Sequence, residues 1–232
     1  MASHRIPTHH PSDEMLLDYA SGAQAPALAL FCATHLALCP SCRSEVGRLE
    51  ALGGIMLEEI DPLPVEADSL DRLMTRLSEP EPLPAPAREP VPIAGPGRHV
   101  PRPLRDYLGG PLESLPWRSV MRNMDEIRLP VEQARFETRL LKVAAGTAVP
   151  EHGHGGEEMV LILAGGLTDV NGHFLPGDCA ITDASVIHRP FADRSEDCIC
   201  LVLSATLPRF TGFFGPIMNL VNRYLAARAQ GL

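Results

Sequence analysis

His35, Cys39 and Cys42 stand in the pattern H-x3-C-x2-C, which puts three residues of metal-binding type into eight positions. Spacings of four and three let all three side chains point from one side of a helix junction. Two soft thiolates with an imidazole at tetrahedral reach select zinc, which structural sites hold with four ligands and no open position. Cys32 lies on the same face, but a continuous helix would set it about 15 Å from Cys42. It therefore reads as buried core, and the fourth ligand is sought elsewhere. His10, just ahead of the first expected helix, is the candidate, with the adjacent His9 as its rival. The plain alternative is that His35, Cys39 and Cys42 are buried core residues. It is weakened by the added histidine and by a module too small to fold comfortably without a staple.

A second set of ligand types begins at His152-Gly153-His154 and continues through Glu158 to a distant His188. In a strand His152 and His154 share a face, because side chains alternate with period two. Glu158 follows a two-glycine turn, and the strand register favours it over Glu157. Three imidazoles and a carboxylate suit zinc or another divalent first-row metal, with room for water or a small ligand if the coordination stays open. Cys198 and Cys200, two apart on an expected strand, face one way. They read as core thiols lining a barrel, the alternative being a redox-sensitive pair, which requires accessible thiolates of low pKa. Cys179 reads as core.

The elements that position these residues divide the chain. Ser12-Asp13-Glu14 caps a helix through Ala20. A second runs from about Ala25 to Leu38, and a third starts at Pro40 with Cys39 as its cap and stops at Gly53-Gly54. Beyond an acidic joint, Ser69–Leu77 forms a short amphipathic helix with Leu70, Leu73 and Leu77 on one stripe, free to fold back or to grip a partner. Nine prolines between Glu79 and Pro103 forbid regular structure and mark a semi-extended linker. Behind it, runs at 135–143, 159–163, 179–182 and 197–203, separated by Gly-rich turns, suggest a closed β sandwich or barrel. The expected organisation is α + β in two domains: a helical domain over 1–78, a linker over 79–103 and a β domain over 104–232.

Composition narrows the function. Of 232 residues, 45% are hydrophobic and the formal net charge is −9. Residues 1–78 carry 5 Lys/Arg against 11 Asp/Glu, and residues 104–232 carry 12 against 15. A direct nucleic-acid binder leans the other way, whereas an acidic first third suits a basic protein partner. No apolar run is long enough for a membrane span and no secretory signal is visible. Six cysteines in such a chain read as reduced thiols, which places the protein in the cytoplasm. No G-x-S-x-G and no Gly-rich phosphate loop occurs.

His10 with His35, Cys39 and Cys42, a flexible joint and a further short helix resembles the zinc-binding anti-sigma domain. The spacing from Gly146 through His152, His154 and Glu158 to Gly165 resembles the first motif of the cupins. Gly177 and His188 stand at the separation of the second, although Asp183, Ser185 and Ala192 occupy positions where cupins carry Pro, Gly and Asn. The two together resemble the ChrR-type anti-sigma factors. That resemblance implies a zinc-stapled helical bundle followed by a cupin jelly-roll barrel. It further implies sequestration of an extracytoplasmic-function sigma factor by the first, and a metal-dependent response of the second to singlet oxygen or related oxidants. The rival is a cupin metalloenzyme, a dioxygenase or isomerase, with an accessory helical module. A third possibility is a metal-dependent interaction protein without sensing.

Overall fold

Helix α1 (Asp13–Ala20) starts where Ser12 accepts a hydrogen bond from the Met15 amide at 3.2 Å, with Asp13 and Glu14 in the first turn, where the helix dipole favours acids. Helices α2 (Pro26–Leu38) and α3 (Pro40–Glu58) each begin with proline and are separated by Cys39 alone. Cys39 leaves the helical region (φ −112°, ψ 105°), and its sulfur accepts from the Cys42 amide as the N-cap of α3. The computed structural model describes residues 5–79, 100–108, 112–131, 135–211, 215–217 and 219–220. Most of the expected linker, residues 80–99, lies outside them.

Helix α3 runs past Gly53-Gly54, where the sequence reading ended it. Neither glycine takes a positive φ, so neither makes a left-handed stop. Each costs the helix about 1 kcal/mol, and Ile55–Glu58 carries it on. Helix α4 (Ser69–Ser78) buries none of its residues. A helical turn, α5 (Arg102–Arg105), starts inside the stretch read as linker and buries Leu104 completely.

Most of the remaining described chain is antiparallel β structure. One sheet has the order β1 (Arg118–Met121), β2 (Met124–Arg128), β3 (Glu137–Val143), β11 (Cys198–Ser204), β5 (Glu158–Ala164), β8 (Cys179–Thr182). A second has β10 (Phe191–Ala192), β6 (Leu167–Asp169) and β7 (Gly172–Phe174). A third has β12 (Arg209–Phe210), β4 (His152–Gly153) and β9 (Ile187–His188). The β1–β2 hairpin escaped the sequence reading. Its signal was Asn123, whose φ of 65° suits asparagine in a tight turn.

Strand alternation sorts the large sheet into two faces. Val143, Ile162, Ala180, Cys198, Cys200 and Val202 point into the barrel. Leu140, Met159, Leu161, Leu163, Ile199, Leu201 and Leu203 point outward and are buried beneath Ala27, Leu30 and Phe31 of α2 and Leu104 of α5. This explains why β5 and β11 read as unbroken apolar runs: the helical module covers the outer face. Away from the barrel the helices bury a small cluster of Leu16, Leu36, Cys39, Cys42 and Val46, of which two are the candidate sulfur ligands. The two modules thus share a core.

Phe31 is fully buried in that shared core. Phe31→Ala is expected to cost about 3–5 kcal/mol in denaturant unfolding, with helix and barrel signals lost together. A loss below about 1 kcal/mol would contradict a common core.

Candidate metal centres

The break at Cys39 lets ligands on α2 and α3 turn toward one point. His35 on the last turn of α2, Cys39 between the helices and Cys42 on the first turn of α3 meet His10, and their ligand atoms all lie within 4.8 Å of one another. His10 Nδ1 stands 3.5 Å from Cys39 Sγ and 3.4 Å from Cys42 Sγ, and His35 Nε2 stands 3.2 Å from Cys42 Sγ. A four-coordinate ion with nitrogen at about 2.0–2.1 Å and sulfur at about 2.3 Å sets N···S edges of about 3.5 Å. The donor set fits such an ion. His35 Nδ1 donates to the Gly177 carbonyl at 2.8 Å, which leaves the Nε2 lone pair facing the sulfurs. Burial drives the His35 pKa down to about 4 and, with Cys39 beside it, drives the Cys42 thiol up to about 12. The imidazole is neutral and ready to bind, whereas Cys42 gives up its proton only to a cation.

His9 does not join the cluster. It lies against Phe174, ring centroids 4.5 Å apart. Cys32 is fully buried within α2, with its thiol pushed up to about 11 by burial, and is no part of the set.

The second cluster sits inside the barrel. His152 on β4, His154 just beyond it, Glu158 at the start of β5 and His188 on β9 converge, all four buried. His152 and His188 are directly paired across β4 and β9. Their Nδ1 atoms donate outward, to the Pro150 carbonyl at 2.8 Å and to Asp169 Oδ2 at 2.6 Å. Their Nε2 lone pairs consequently face each other at 3.2 Å. Two lone pairs so close repel unless a cation lies between them. His154 Nε2 is 2.9 Å from His188 Nε2 and 3.3 Å from Glu158 Oε2. Glu158 faces inward with Val160 and Ile162, and Ser204 donates to its Oε1 at 3.0 Å. Glu157 turns out and pairs with Arg135.

A cavity of about 140 Å³ reaches His152, Glu158 and His188. Its lining is mostly aliphatic, Leu141, Val160 and Val202 among it, with Arg139 3.8 Å from Glu158. The centre can therefore admit a small ligand from one side. The departures from the second cupin motif are absorbed locally: Asp183 Oδ1 accepts from the Ser185 amide at 2.8 Å and builds the turn into β9. Cys198 and Cys200 are both buried, and the hydrogen bond with Cys198, together with burial, raises the Cys200 pKa well above that of a free thiol, so they are core thiols. Sequence reasoning missed Asp169, Asp178 and the Gly177 carbonyl, which orient ligands from outside. No spacing rule links them to residues they meet only through the fold.

The ChrR Cupin-like domain model matches residues 110–208. Across 211 residues the chain is 40% identical to the anti-sigma-E factor ChrR of Cereibacter sphaeroides, covering 91% of this chain and 96% of that protein. The chain belongs to the ChrR family of anti-sigma factors. The crystal structure of Rhodobacter sphaeroides SigE in complex with the anti-sigma ChrR matches it with a TM-score of 0.72 at 37% identity, over 85% of this chain and 99% of that one. Coverage of this extent takes in the helical front as well as the barrel, so the ChrR likeness extends to both modules.

Burial lowers His35 and His154 each to about 4. In the unfolded chain both titrate at about 6.5, so at acid pH the unfolded state takes up protons that the folded state refuses. The metal-free chain keeps this stability above about pH 6.5 and loses it as pH falls toward about 4. Its urea midpoint is expected to fall between about pH 7 and about pH 5; a flat midpoint would contradict the burial of neutral imidazoles.

Proposed function

We propose that the chain is an anti-sigma factor that sequesters an extracytoplasmic-function sigma factor through its helical module and releases it in response to a signal received by the barrel. The observation that carries this reading is the uncovered apolar surface of α3 and α4. Ile55, Met56 and Leu57 on the distal half of α3 are 59%, 64% and 70% exposed, and Leu63 in the joint is 87% exposed. Leu70, Leu73, Met74 and Leu77 continue the stripe along α4. A surface of this kind, set among Glu58, Glu59, Asp61, Glu66, Asp68 and Asp71, calls for a partner that is apolar at the contact and basic around it. The relative aligned along nearly the whole chain is named an anti-sigma-E factor.

Two thiolates with two imidazoles support zinc at His10, His35, Cys39 and Cys42, where the ion staples the helices that bear the surface. Three imidazoles and a carboxylate support zinc or another divalent first-row metal at His152, His154, Glu158 and His188. Singlet oxygen or a related oxidant is the signal class that the family resemblance implies. No described helix is long and apolar enough to cross a membrane, and the proposed site of action is the cytoplasm, where RNA polymerase competes for the sigma factor. The division into a helical domain (1–78), linker (79–103) and barrel domain (104–232) is then one of function, since α2 and α5 share the barrel's outer core. The cupin dioxygenase or isomerase reading leaves the exposed stripe of α4 without a purpose.

Co-expression with extracytoplasmic-function sigma factors of the same genome, followed by gel filtration, should give a complex with one of them. Leu73→Asp should abolish that complex while moving the melting temperature by less than about 1 °C, because Leu73 is 52% exposed on a helix that buries none of its residues. Separate elution with every sigma factor would sink the reading. For the sensing step, His188→Ala should leave sigma binding intact and block induction; unchanged induction would remove the barrel metal from the mechanism.

A further inference from the structure

The helical centre is assembled partly by the barrel. Asp178, in the turn between β7 and β8, is fully buried and accepts from Arg5 Nη1 at 2.9 Å, from the Leu175 amide at 2.8 Å, and from the Thr8 and His9 amides at 2.6 and 3.1 Å. Burial pushes its pKa up, but these donors outweigh that and hold the carboxyl below its usual range. The Cys179 amide donates to the His9 carbonyl at 3.0 Å. The segment Arg5–His9 is thereby fastened to the barrel one residue before His10. The preceding residue, Gly177, holds His35 through its carbonyl. It has φ 94°, and a Cβ there would lie 2.5 Å from Pro7 Cγ, so the segment presses on the turn too closely for any side chain.

The same turn leads in both directions to ligands of the barrel centre. Strand β8 starts at Cys179 and ends with Thr182 opposite Glu158. Strand β7 pairs with β6, whose Asp169 holds His188. Two helical-centre ligands, His10 and His35, are thus set from a turn whose flanking strands set two barrel-centre ligands, Glu158 and His188.

We propose that the turn Leu175–Cys179 is a tie through which occupancy of the barrel centre sets how firmly the helical centre holds its ion. This rests on the reading that both clusters bind metal. Without an ion the opposed lone pairs of His152 and His188 push apart. The displacement reaches His10 and His35 along β8 and β6–β7. Loss of metal from the barrel loosens the metal at the helices, and by linkage the reverse holds.

The test is a double-mutant cycle on the full chain loaded with cobalt(II), whose thiolate absorption band reports the helical centre alone. Release is timed after addition of excess chelator, without a sigma factor. His154→Ala empties the barrel centre and touches none of the tie's hydrogen bonds. It is expected to speed release at least about fivefold. Asp178→Asn is expected to speed it about tenfold, because it weakens the anchor of the Arg5–His9 segment that places His10. In the Asp178→Asn background, the effect of His154→Ala should shrink to less than about twofold. An unchanged rate in His154→Ala, or an equal effect in both backgrounds, overturns the tie. If Asp178→Asn does not fold, Arg5→Met takes its place; there the His154→Ala effect must fall by at least about half, and an undiminished effect overturns the proposal. A native chain without the thiolate band refutes the metal reading, and the tie with it.

Discussion

Electron-pair donors aimed at one point are the constraint on which the rest of this structure depends. In the barrel the Nδ1 atoms of His152 and His188 are committed to outward hydrogen bonds, so their Nε2 lone pairs oppose each other at 3.2 Å. At the helices His35 is committed to Gly177 in the same way and faces the sulfur of Cys42. In the barrel the opposed Nε2 lone pairs of His152 and His188 have no hydrogen of their own between them, and both rings are buried. At the helices the Cys42 thiol faces the His35 lone pair until a cation displaces its proton. A cation would satisfy both sets of donors.

The second constraint is that the large sheet is covered on both faces. Its inner face closes the cavity beneath the barrel cluster, and its outer face is the floor on which α2 and α5 rest. This docking leaves the distal half of α3 and all of α4 projecting with their apolar residues uncovered. Burial of one helical face against the barrel and exposure of the other follow from one packing decision. The module with the uncovered helical surface and the module with the buried barrel cluster are thereby joined through side chains and not only through the chain between them.

Much of this was legible in the sequence. Residues of metal-ligating type announce themselves by type and spacing: H-x3-C-x2-C and His152-x-His154 located both clusters, and strand alternation chose Glu158 over Glu157. The helices were legible from Ser12, Pro26 and Pro40. Gly53-Gly54 misled, because glycine ends a helix only where the chain needs a left-handed residue. What stayed hidden is what depends on three-dimensional proximity: Asp178 beneath residues 5–9, Asp169 behind His188, and the outer apolar face of β5 and β11 beneath α2. The sequence offered His10 ahead of His9, but what fixes that register, Asp178 and Cys179 holding the backbone at Thr8 and His9, was hidden in it.

The central claim is that one chain carries two metal centres of different chemistry. It is tested most directly by metal analysis of the purified full chain with X-ray absorption at the bound metal. Two ions per chain are expected, one with two sulfur neighbours and one with only nitrogen and oxygen, and Cys42→Ser is expected to remove the sulfur-ligated ion. A chain that keeps no more than one ion, or one whose metals show no sulfur neighbours, would contradict it.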